Sequence, residues 1–139
     1  GIVGLDQAAG EKKVPLKLTQ DGVVDALGEA KRRLTEAGID GAAHLVASPA
    51  VWKYLCRITP AGVMREVAEK QLGGSVVRSA AVKGALLVAS RGGDAILTLG
   101  QDFAVGYHSH TAAKVSLFLT ESFTFRAVTP EALVGFAVG

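Results

Sequence analysis

Of 139 residues only one is cysteine, one methionine, one tryptophan and four proline. With Cys56 alone no intrachain disulfide can form, so burial and hydrogen bonding must hold the fold, and a cytoplasmic setting suits it. An excess of one charge is also missing. Fifteen Lys and Arg face 13 Asp and Glu, a formal net charge of +2, which gives no strong field to draw nucleic acid or an anionic membrane. The one dense basic cluster, Lys31-Arg32-Arg33, falls on a predicted helix, where consecutive residues fan around the axis and read as a solvated face. No apolar run approaches the roughly 20 residues that a bilayer crossing takes, and no charged-then-apolar leader is found. The chain opens at Gly1 without a methionine, and the expectation is a truncated or processed product.

What is present is ordinary globular material: 49% apolar residues, 20% charged and 17 glycines, the last pointing to many turns and close backbone approaches. A single domain of this length buries roughly 68% of the surface of its unfolded chain, so a core forms without metal or disulfide.

Apolar residues recur at helical spacing from Thr19 to Ala37 (Val23, Val24, Leu27, Ala30, Leu34), with charges opposite. This predicts an amphipathic helix, started by Thr19 or Asp21 and ended at Gly38. His44 to Ala47 predicts a short strand; Ser48-Pro49 then starts a helix carrying Val51, Trp52 and Leu55 and broken near Thr59-Pro60. A further helix, Val63 to Leu72, stops at Gly73-Gly74. From Ser75 the period falls to two, predicting strands at Val76 to Arg78, Ala85 to Ala89, Ala95 to Leu99 and Phe103 to Tyr107. Arg91-Gly92-Gly93-Asp94 predicts a hairpin between its flanking strands. Val115 to Val128 predicts an unusually long strand whose alternation has two exceptions, Phe118 on the polar face and Glu121 on the apolar one. Such a carboxylate needs a cation, a donor cluster or a subunit boundary.

Chemistry-bearing patterns are few. His108-Ser109-His110 has no third ligand nearby and reads as a polar loop. His44 reads as a satisfied, half-buried histidine and Cys56 as a small core hydrophobe. No nucleophile elbow occurs, and the paired glycines lack the strand, Gly-x-Gly-x-x-Gly and helix order of a phosphate loop. The residues predict no enzyme.

Three ordered blocks carry a resemblance. They are Ala85-Leu86-Leu87-Val88-Ala89-Ser90-Arg91-Gly92-Gly93-Asp94, then Leu99-Gly100-Gln101-Asp102-Phe103-Ala104-Val105-Gly106-Tyr107, then Leu117-Phe118-Leu119-Thr120-Glu121-Ser122-Phe123-Thr124-Phe125 with Thr129-Pro130-Glu131-Ala132-Leu133. Together with Gly1-Ile2-Val3-Gly4-Leu5, Gly38-Ile39-Asp40-Gly41 and Trp52 they resemble the encapsulin (linocin-like bacteriocin) family over essentially the whole chain.

The resemblance implies an α+β fold, the HK97 phage capsid-like protomer, here its C-terminal portion. Residues 1–39 would form a peripheral-domain segment with the amphipathic helix, 40–89 most of the axial domain, and 90–139 peripheral strands and the C-terminal turn. It implies an icosahedral shell made of copies of the chain, enclosing a cargo enzyme through a short docking peptide, with no nucleic acid or membrane as partner. The cargo-peptide contacts would be Phe103, Val105, Tyr107 and Leu119. The loop Arg57, Ile58, Thr59, Pro60, Ala61, Gly62 and Val63 would face a symmetry axis and line a pore, although it is shorter than its counterparts and lacks their Tyr-Pro-Leu. The family's N-terminal helix, extended loop and spine helix would lie upstream of Gly1. No cofactor is expected, because the aromatic residues that hold a flavin in some members belong to that upstream region. The alternatives are a phage major capsid protein within the same fold and, from another class, a secreted bacteriocin or protease.

Overall fold

The computed structural model describes residues 4–110 and 115–139, and the side chains of 4–98 and 125–139. In chain order the elements are α1 (Leu5–Ala8), β1 (Val14–Leu16), α2 (Gln20–Glu36), β2 (Ala43–Ala47), α3 (Pro49–Leu55), β3 (Ile58–Thr59), β4 (Gly62–Val63), α4 (Met64–Leu72), β5 (Val76–Arg78), β6 (Ala85–Ala89), β7 (Ala95–His110), β8 (Val115–Ala127), a 3-10 turn (Pro130–Ala132) and β9 (Leu133–Val138).

Strand β6 lies at the centre of a five-stranded sheet ordered β1-β9-β6-β2-β5. It is antiparallel to β2 and β9, while the two edge strands run parallel to their neighbours, β1 beside β9 and β5 beside β2. Its five residues are all apolar, and Leu86 and Leu87 are both buried although they point to opposite faces. Such a run is what a strand covered on both sides requires. One face is built in matched rows: Leu45 opposite Leu87 with Ala43–Ala89 and Ala47–Ala85 on either side, then Val134 and Phe136 on β9 and Val14 on β1. These residues share one core with Val23, Leu27, Ala30 and Leu34 of α2, Val51 and Leu55 of α3 and Met64, Ala68 and Leu72 of α4. Each large side chain fully buried there contributes about 1.5–3 kcal/mol.

The helices start and stop where local chemistry says they should. The Thr19 side chain accepts the Gly22 N–H at 3.0 Å, and Gly38 takes a φ of 79° just past the end of α2. Ser48 accepts the Val51 N–H at 3.4 Å ahead of Pro49, and α4 ends on left-handed Gly73. On the outer side of α2 the triplet reads as expected for Arg32, which bridges Glu29 and Glu36, while Arg33 reaches the Lys12 carbonyl at 2.7 Å. Val24, placed on the apolar stripe by spacing, is exposed at the border of that face.

Several expectations are corrected. Arg91 to Asp94 is not a hairpin turn: β6 pairs with β2 and β9 and β7 pairs with β8, so the two glycines, at φ 83° and 82°, carry the chain from one sheet to another. The strands expected at 95–99 and 103–107 are one strand of 16 residues, made continuous by bulges. Cys56 is exposed, because it caps α3 one position beyond the buried face set by Val51 and Leu55. His44 is exposed as well, though satisfied, with Nδ1 accepting the Ser75 N–H at 3.0 Å. The main sheet draws β1 from residues 1–39, β2, β5 and β6 from 40–89 and β9 from 90–139.

The second sheet is the two-stranded antiparallel ribbon of β7 and β8. Its register shifts between Leu99 and Gln101, between Gln101 and Ala104 and between Tyr107 and Ser109, so extra residues always fall on β7. His108 to His110, expected as a polar loop, instead end strand β7, where Ser109 pairs with Ser116 and His110 with Val115; their side chains and that of Glu121, also on the ribbon, lie outside the described residues.

Candidate functional site

Among the described residues no group of three or more His, Cys, Asp or Glu could hold a metal ion, and no helix is long and apolar enough to cross a membrane. The candidate sites taken from the sequence are surfaces.

The loop Arg57 to Val63 folds as a miniature hairpin. β3 pairs with β4, setting Ile58 opposite Val63 and Thr59 opposite Gly62, with Pro60 and Ala61 as the turn. The Thr59 hydroxyl donates to the Gly62 carbonyl at 2.8 Å and the Met64 N–H to the Arg57 carbonyl at 2.9 Å, so both ends of the hairpin are tied. Gly62 takes a φ of 112°, which a side chain would oppose. Arg57, Ile58, Pro60 and Ala61 are exposed. Ile58 is 84% exposed, and the Arg57 guanidinium lies 5.6 Å from the centre of the Tyr54 ring, with no carboxylate in salt-bridge range among the described residues. Arg65 lies similarly over Trp52, at 5.7 Å. The result is a stiff, cationic tip with one large apolar side chain in water.

Of the four residues expected at the cargo contact, the backbone register sets Val105 directly opposite Leu119 and Tyr107 opposite Leu117, while Phe103 falls in the bulge between the Gln101 and Ala104 pairings. Their side chains lie outside the described residues.

One feature escaped the sequence reading. On the sheet face turned away from the helical core, Val46 and Leu86 join Leu5 of α1 and Leu97 and Phe125 at the root of the ribbon around an open apolar groove of about 470 Å³. The signal for it was the uninterrupted apolar run of β6, which marks a strand needing cover on both faces.

The architecture, a helix-covered sheet with a long ribbon beside it, is the HK97-like capsid fold. A virus-like particle from Pyrococcus furiosus superposes with a TM-score of 0.72 over 97% of this chain and 61% of that one, at 20% identity. A Mycobacterium phage Che8 structure gives 0.64 over 95% of the chain and 55% of its own, at 17% identity. Residues 1–124 match the family described as encapsulating protein for peroxidase, and the chain belongs to that family. Type 1 encapsulin shell proteins are its relatives: that of Rhodospirillum rubrum is 37% identical over 137 residues, covering 96% of this chain and 49% of the relative. That of Brevibacterium linens is 38% identical over 136 residues, covering 96% and 51%. The chain thus spans about half the length of the curated relatives it matches.

Proposed function

We propose that the chain is part of the shell subunit of an encapsulin nanocompartment, the C-terminal portion of a protomer whose copies close into an icosahedral shell around cargo enzymes. The observation that carries this reading is the combination of family membership with the ribbon. Among the described residues, two strands of 16 and 13 residues pair only with each other, and a two-stranded ribbon is marginal in water on its own. Such a part makes sense where further protein covers it, as large repeated interfaces of a closed assembly do.

In this reading residues 40–89 form most of the axial domain, shared core packing adds α2, β1 and β9 to it, and the ribbon belongs to the peripheral one. The Arg57 to Val63 hairpin lines a pore at a symmetry axis. Phe103, Val105, Tyr107 and Leu119 receive the docking peptide of a cargo protein. The subunit works in the cytoplasm, binds neither nucleic acid nor membrane, and performs no chemistry of its own. A phage major capsid protein shares the fold, and the gene neighbourhood, cargo enzyme or portal and terminase, separates the two.

The test is expression of the complete gene and negative-stain electron microscopy of the product. Uniform closed particles are expected; a monomer or small oligomer persisting at high concentration overturns the reading.

A further inference from the structure

Two stretches of backbone connect the five-stranded sheet to the ribbon, one leaving through Ser90 to Asp94 and one returning through Val128 and Thr129. The outgoing stretch is anchored to the sheet: both the backbone N–H and the hydroxyl of Ser90 donate to the Ala42 carbonyl, at 3.0 and 2.9 Å. Gly92 and Gly93 then reverse the path in left-handed conformations, with open space around both. Flexible residues at this point would leave the ribbon free to swing. They are spanned instead by a fork. Arg91 Nε donates to both Asp94 oxygens, at 3.1 and 2.9 Å, and Nη2 donates to Oδ1 at 2.7 Å. Asp94, at 6% exposure one of two buried polar residues among those described, reaches the returning stretch too. Its carbonyl accepts the N–H groups of Val128 and Thr129, at 2.8 and 3.1 Å. One residue thus holds both connections at the point where they pass.

We propose that Arg91 and Asp94 form a latch that fixes the direction in which the ribbon leaves the sheet. The planar guanidinium suits this role, since a bidentate pair fixes angle as well as distance. For a subunit that assembles, that angle decides where its longest element meets a neighbour.

The single cysteine makes the test direct, because Cys56 is exposed on the sheet side of the latch and Thr98 is exposed on the ribbon. Spin labels go on Cys56 and on a Thr98→Cys site of the 139-residue chain, and the distance distribution is measured by pulsed dipolar spectroscopy. Asp94→Asn keeps the backbone carbonyl and its two bonds but loses the charged fork; the distribution should widen at least twofold while far-UV circular dichroism is unchanged. Arg91→Lys, which keeps the charge and loses the planar fork, should also widen it, and serves if Asp94→Asn does not fold. An unchanged width in a folded variant of either kind overturns the latch, since a merely stabilising pair would shift the melting temperature and leave the distance alone.

Discussion

Gly74 sits where β5 docks on β2, and no side chain fits there: an added Cβ would overlap the Ala43 carbonyl oxygen and stand 2.9 Å from His44 Nδ1. Ala43 cannot give way, being paired on its other side with Ala89. Gly74→Ala should therefore lower the unfolding free energy by roughly 1–3 kcal/mol, read from the urea midpoint. A different physics governs Glu29. Hydrogen bonding from Arg32, with desolvation opposing and the Arg32 and Arg33 charges assisting, holds its carboxyl at about 2 instead of 4.5. A lowered pKa means that the contribution is complete above about 4.5 and fades as the pH falls through about 2. The difference in melting temperature between the parent and Glu29→Gln should then be the same at pH 7 and pH 5 and shrink towards pH 2. Asp94 behaves alike in direction, its carboxyl held below the usual range by Arg91 hydrogen bonds and, more weakly, by the Thr129 side chain.

Among elements, α2 is the one whose start and burial can be tested separately. Thr19→Ala removes a cap and should cost about 1 kcal/mol, whereas Leu27→Ala opens the core and should cost about 2–5 kcal/mol, both read from denaturant titrations. That contrast explains what was legible in the sequence. Helices α2, α3 and α4 and strands β2, β5, β6 and β8 could be read because period and cap are local properties of ten or so residues. β1, a Val-Pro-Leu stretch with a proline at its centre, and the two-residue strands of the Arg57 to Val63 hairpin carry no strand signal of their own. Gly92 and Gly93 were legible as a reversal but not as a change of sheet, because which strand pairs with which depends on partners far along the chain. Cys56 was misplaced for a plainer reason: one position past Leu55, burial turns to exposure. As for the candidate sites, the loop could be located by Thr59-Pro60 and the ribbon residues only through family resemblance, while the groove needed the sheet to be folded first.

At the scale of the molecule, the sheet and the ribbon should differ in stability. Amides of β6, central and covered, should exchange with deuterium slowly, and those of β7 and β8 markedly faster in the 139-residue chain alone. Equal protection of both in the isolated chain would mean that the ribbon needs no cover. Closed shells are not expected from these 139 residues alone, and particles in such a preparation would show that the chain already holds every contact required. The ribbon has one more property. β7 spends 16 residues where β8 spends 13, and every shift of register adds to the same side. A bulged strand bends and twists more than its partner. Like a bimetallic strip, one side longer than the other, the ribbon must curl, and the curl is written into its residue count before any neighbour touches it.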